Sequence, residues 1–164
     1  MRATARTVIS APIATVWDVV SDPEQALRFM SGVTRWEVDS EGATGLGARY
    51  RMLLRVGSAE VGGLIEIVEF NPPTDLAWTS ITGVDQRGRW RLRQVSESRT
   101  RVEIRLAAGV AGSGLAGWIA ERIAQPAISS HLGTTVSQLA RLVEHERMRQ
   151  QAAERQAARI ARAR

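Results

Sequence analysis

A chain of 164 residues, 44% hydrophobic and 24% charged, has the length and composition of one globular domain with a real core. It contains no cysteine, which excludes disulfides and thiolate chemistry, and no window approaches the apolar length of a membrane span. All 22 basic residues are arginine and the net charge is +5, but residues 147–164 hold six arginines against one acid, Glu154, which leaves 16 arginines and 16 acids in residues 1–146. A neutral body with a basic tail argues against a general polyanion binder, and a set without lysine points to codon usage rather than a phosphate surface.

In chain order, MRATARTVISAP lacks the apolar run of a signal peptide, so a cytoplasmic location is expected. The alternation in ARTVIS predicts a strand at 5–10, and Ser10 is a plausible cap for the helix PIATVWDVVSD, whose Val16, Val19 and Val20 share a face. Asp22-Pro23 breaks it. A second short helix, PEQALRFM, ends at Gly32. Antiparallel strands follow: VTRWEVDSE, ARYRMLLRV after an EGATGLG turn at 41–47, GGLIEIVEF closed by Asn71-Pro72-Pro73, LAWTSITG, RGRWRLRQV and RTRVEIRLA. In RGRWRLRQ the period of two sets Arg87, Arg89, Arg91 and Arg93 on one face and Trp90 and Leu92 on the other. A single-strand nucleic-acid platform needs arginines and aromatics together, so those arginines are expected on an outer, solvated face. Gly109–Gly117 reads as a glycine loop. A helix is expected from Trp118, interrupted at Pro126, then carrying the stripe Ile128, Leu132, Val136, Leu139 and Val143.

This order resembles the START-like (SRPBCC) superfamily, in its polyketide cyclase/dehydrase and lipid-transport branch. The resemblance rests on SAPIATVWDVVSDPEQALRFMSGV at 10–33, NPPTDLAW at 71–78, and the glycine loop with its helix at 109–143. It implies an α+β helix-grip fold: a curved antiparallel sheet of about seven strands around a long C-terminal helix, with two short helices after the first strand. Residues 1–146 would form the ligand-binding domain and 147–164 a helical or disordered Arg/Ala-rich tail. It also implies a deep apolar cavity between sheet and helix, suited to a lipid, quinone or polyketide-like molecule.

On this reading Trp36, Tyr50, Met52, Leu54, Trp78, Trp90, Leu92, Ile104, Ile128, Leu132 and Val136 are expected to line that cavity, with Trp118 near its start. His131, bordering the helix stripe, and Tyr50, on an apolar strand face, are the candidate acid/base groups; each also reads as a packed core residue. Glu66 alternates with Ile65 and Ile67, which predicts an outward carboxylate, although apolar residues of both parities leave an inward one open. Gly133 in mid-helix suggests close approach of a strand or ligand. No metal site or cofactor is expected, because the two histidines, His131 and His145, are not at ligand spacing and phosphate-loop and nucleophile-elbow motifs are absent. The leading expectation is binding or carriage of a hydrophobic small molecule. The alternatives are a cyclase, aromatase or dehydratase using His131 or Tyr50, and a regulatory protein-interaction module. No specific nucleic acid is expected; the tail could touch an anionic membrane or extend into solvent, and the chain could be a monomer or homodimer.

Overall fold

The alternating segments form seven strands. The computed structural model describes residues 1–39, 44–109 and 115–162, with side chains in the last stretch from Gln125 onward. The elements are β1 (Arg2–Ile9), α1 (Ile13–Ser21), α2 (Ala26–Phe29), β2 (Val33–Val38), β3 (Arg49–Val56), β4 (Ala59–Asn71), β5 (Asp75–Ser80), β6 (Gln86–Ser96), β7 (Arg99–Ala108) and α3 (Leu115–Arg162). The start of the turn expected at 41–47, the middle of the glycine loop and the side chain of Trp118 lie outside the described residues.

The strands form one antiparallel sheet in the order β1-β7-β6-β5-β4-β3-β2. It is a meander from β2 to β7 with β1 added beside β7, and the seven strands, two short helices and long last helix make a helix-grip fold. Close backbone approach shapes the β3-β4-β5 end: a Cβ on Gly62 would lie 2.1 Å from the Met52 carbonyl oxygen, and one on Gly63 2.1 Å from that of Thr82. Only glycine admits such contacts.

α3 lies against the sheet chiefly along β1, and the expected stripe Ile128, Leu132, Val136, Leu139 and Val143 is buried. Two expectations at the helix ends need correction. α3 already begins at Leu115 and runs through Pro126 without a break, giving up one hydrogen bond at the proline. α1 is preceded by Pro12, not capped by the side chain of Ser10. Ser10 instead donates its N–H to Glu144 of α3 at 3.0 Å, and Arg147 donates to the Ser10 carbonyl. Beyond Met148 the tail remains helical to Arg162 with its side chains almost wholly exposed. Among the described residues, no helix is long and apolar enough to cross a membrane.

Candidate functional site

The concave side of the sheet is packed by aromatic rings. Trp78 on β5 is opposite Gly88 on β6, and its indole lies across that glycine: a Cβ there would be 1.9 Å from Trp78 Cζ2. The missing side chain at residue 88 is therefore the space the indole occupies, an aromatic cover over a strand glycine. Trp90 meets Phe29 of α2 edge-on at 6.0 Å, Trp36 stacks on Tyr50 at 5.2 Å, and Trp17 of α1 meets Phe70 at 5.2 Å.

Among the described residues the seam holds two voids of about 20 Å³ each, one on either side of Trp78, each with room for about one water. The first is bordered by Ser21, Asp22, Trp36, Tyr50, Trp78 and Trp90, the second by Met52, Leu54, Ile104, Ile128, Leu132 and Trp78. Of the residues expected there, Leu92 and Val136 border neither void, being packed in the core at 0% and 4% exposure. The tryptophan rings explain the difference: strand parity places them inward but does not say how much of the interior they fill.

Three polar features face this seam. The indole N–H groups of Trp36 and Trp78 are buried and have no hydrogen-bond partner among the described residues. An unpaired buried donor costs about 1–3 kcal/mol. Tyr50, 3% exposed, has its phenol pushed above the ordinary value by burial first and by the charge of Asp22 second, so it remains a proton-bearing donor. Asp22 was not singled out from the sequence; its place after α1 and before Pro23 brings it to the mouth of the first void.

His131 is held between two elements. Its Nε2 is 3.2 Å from the Arg55 carbonyl, which can only accept, so the proton sits on Nε2 and Nδ1 accepts from the Ser31 hydroxyl at 3.2 Å. Thr135, buried one turn on, accepts the Ser31 N–H at 2.9 Å. The ring lies on Gly32, whose φ is +78° and whose added Cβ would be 2.7 Å from His131 Cγ. These contacts latch α3 to the α2–β2 link and to β3, and they leave neither imidazole nitrogen free. Ser31 and Thr135 carried no sequence signal, because their pairing depends on packing between elements about 100 residues apart.

Two other expectations are settled by position. Glu66 is on the outer face, paired with Arg49 at 2.8 Å, while Ile65 and Ile67 point inward. A Cβ on Gly133 would meet nothing within 4 Å, so close approach of a strand does not account for that glycine. No group of three or more His, Asp or Glu is placed to hold a metal ion among the described residues.

The outer face carries arginines on β6 and β7 as the alternation requires, and beneath them lie two carboxylates, Glu103 on the face its alternation requires and Asp75, which was not singled out from the sequence. Asp75, 7% exposed, is reached by Arg91 at 3.3 Å and Arg93 at 3.0 Å. Burial pushes its carboxyl up, but hydrogen bonds from Arg93, Thr74 and Arg91 outweigh that and hold it below the usual range. Glu103, 9% exposed, is also held low: burial is overcome by hydrogen bonds and charge from Arg105 and Arg6.

Comparison with known proteins fits this architecture. The protein TTHA0849 from Thermus thermophilus superposes with a TM-score of 0.77 at 20% identity, over 89% of this chain and 99% of that one. A START superfamily protein from Mycobacterium smegmatis gives 0.68 at 14%, over 88% and 97%. The Zhui aromatase/cyclase of Streptomyces sp. R1128 gives 0.64 at 17%, over 88% and 93%. At these identities the likeness establishes the helix-grip fold. No curated protein matches the chain. The model of one family, "Polyketide cyclase / dehydrase and lipid transport", matches residues 1–144, and the chain belongs to that family.

Proposed function

We propose that the chain binds or carries a hydrophobic, ring-bearing small molecule in the seam between the sheet and α3, where most of the expected lining residues surround Trp78. The observation that carries this reading is the pair of buried indole donors, Trp36 Nε1 and Trp78 Nε1, left without acceptors beside apolar voids. A ligand with a carbonyl or ether oxygen would accept from them, and its rings would lie on flat aromatic walls. Two spaces of about 20 Å³ admit such a molecule only when the seam widens between α3 and the sheet and the two join past Trp78. The aromatase/cyclase among the similar structures is consistent with a polycyclic ligand.

The test compares 1,4-naphthoquinone with naphthalene, which share a ring frame and differ in acceptor oxygens. Titration of the ¹⁵N-labelled protein should move the indole N–H resonances of Trp36 or Trp78 with the quinone only. Trp78→Phe should narrow the affinity gap between the two probes. If neither resonance moves, and native mass spectrometry of gently purified protein shows no retained small molecule, the reading fails.

A second reading, cyclisation or dehydration, is favoured by Tyr50 alone: a phenol kept protonated beside the charge of Asp22 at the same void could hand a proton to a ligand oxygen. Turnover of a poly-β-ketone that survives Tyr50→Phe would remove it.

A further inference from the structure

The equal totals of acid and arginine in the body conceal a separation on the outer face. Across β2, β3 and β4 the arginines are matched: Arg51 pairs with Asp39 at 3.2 Å and Arg55 with Glu60 at 3.5 Å. Across β1, β7, β6 and β5 the match is poorer. There a groove of about 990 Å³ is bordered by Arg2, Arg6, Arg87, Arg89 and Arg105, and among the described residues no aspartate or glutamate borders it. Its floor is made of small side chains, Thr4, Ala77, Thr79 and Ala107, so its depth is the length of the arginines around them.

The register sharpens the geometry. Arg2 and Arg87 are both cross-strand partners of Ala107, which places their Cα atoms about 10 Å apart, two strand spacings, with a methyl group between. Neither makes an ion pair among the described residues; Asp85 shares the next depression with both and binds neither. Arg89 and Arg105 are directly opposite each other, a like-charge pairing that destabilises a sheet. Arg6 and Arg105 share the single carboxylate of Glu103. Arg89 reaches Glu69 at 2.7 Å and Asp75 at 3.4 Å through Nη2, sharing Asp75 with Arg91 and Arg93, while its buried Nε has no acceptor among the described residues. Two unpaired arginines beside two that are only partly compensated form a site for an anion of several charges.

We infer that this groove binds a phosphorylated small molecule through a di- or triphosphate, with Arg2 and Arg87 closing on it from opposite sides of Ala107 and Arg89 and Arg105 completing the set. Guanidinium forks fit phosphate oxygens bidentately, and the groove has the size of a small-molecule site. Trp36 and Trp90 pack on the inner face, and Trp78, which borders the groove as well as the seam, is only 2% exposed, so bases of a single strand would find no exposed ring to stack on. Among the described residues the one large apolar side chain exposed at the rim is Val68, too little for membrane insertion. The inference does not depend on the inner seam, because the arginines that carry it belong to the outer face, although Trp78 borders both the groove and the seam.

Calorimetric titration of the full chain with sodium pyrophosphate in a phosphate-free buffer tests it. One saturable site is expected, stronger than for orthophosphate and weakening as salt is raised. Losing one charge-assisted contact should reduce affinity about ten-fold in Arg87→Gln, and more in Arg2→Gln/Arg87→Gln. Arg87→Lys should recover only part of the loss, and Arg51→Gln, on the matched half, should leave binding unchanged. No saturable heat up to about 1 mM pyrophosphate, an equal loss in Arg51→Gln, or binding of duplex DNA without binding of pyrophosphate would each overturn the inference.

Discussion

Gly88→Ala tests the packing at the centre of the inner face. The added Cβ would stand 1.9 Å from Trp78 Cζ2 and 2.1 Å from Cε2. An ordinary contact begins near 3.4 Å, so the indole must retreat by about 1.5 Å, the difference between 3.4 Å and 1.9 Å. Trp78 is 2% exposed, and the voids beside it, about 20 Å³ each, are too small to receive a displaced ring. Overpacking at about 2 kcal/mol and an off-rotamer tryptophan at about 1 kcal/mol give a cost of about 3 kcal/mol. The alanine returns about 0.7 kcal/mol by restricting the unfolded chain. A net loss of about 2 kcal/mol, or about 4–8 °C in Tm, is therefore expected. Urea denaturation followed by far-ultraviolet circular dichroism measures it independently of the tryptophan signal. Trp78→Ala alone should cost about 4 kcal/mol, and adding Gly88→Ala to it should cost nothing further, because the clash has gone. Additive losses in the double variant, or a neutral Gly88→Ala, would refute the argument.

Gly32→Ala should cost about 2–3 kcal/mol, from the strain of a positive φ and from the contact with the His131 ring; in a His131→Ala background only the backbone part should persist. The acid response follows from Asp75 and Glu103. Both have folded pKa values below the ordinary carboxylate range, so their contribution is present above the unfolded values of about 4 and is lost as pH falls through the lower folded values. Tm should hold from pH 7 to about 5 and fall below about 4. Asp75→Asn should lower stability at pH 7 by about 1–3 kcal/mol and flatten the acid limb, and an unchanged limb would contradict the assignment.

The strands were legible because period-two alternation is a strong signal: Trp90 and Leu92 are indeed 2% and 0% exposed, and the arginines between them face outward. The α3 stripe was legible for the same reason at a period near 3.6. Local rules failed where tertiary contacts outranked them. Ser10 had the chemistry of a cap but lies two residues ahead of Pro12, which immediately precedes α1, with its backbone N–H and carbonyl held by Glu144 and Arg147, and Pro126 had the chemistry of a break but sits inside a continuous helix. Gly88 was passed over as part of an arginine-rich strand, although a glycine there can be explained only by the tryptophan opposite. Charge was the least legible property. A sum of zero over residues 1–146 says nothing about which arginines have partners, and the poorly matched ones gather on one half of one face only through strand order.

The relative strength of the contacts indicates how a molecule could enter the seam. On the sheet side, separating β5 from β6 would break a ladder of backbone hydrogen bonds and pull Asp75 from Arg91 and Arg93. Those losses are cooperative, and charged hydrogen bonds contribute about 1.5–3 kcal/mol each. On the helix side, α3 is joined to the α2–β2 link and β3 through Ser31, His131 and Thr135 by three neutral hydrogen bonds of 2.9–3.2 Å, each worth about 1 kcal/mol. His131, Ser31 and Thr135 themselves border the second void, so releasing them opens that void directly toward Trp78. The rest of α3 is held by its buried stripe and by the contacts of Glu144, Glu146 and Arg147 with Ser10 and Arg28, so the part that can yield and reclose is the turn around His131, beside Gly32. On the proposed reading, His131 therefore governs access to the seam by holding α3 in place, and proton transfer, where a ligand requires it, falls to Tyr50.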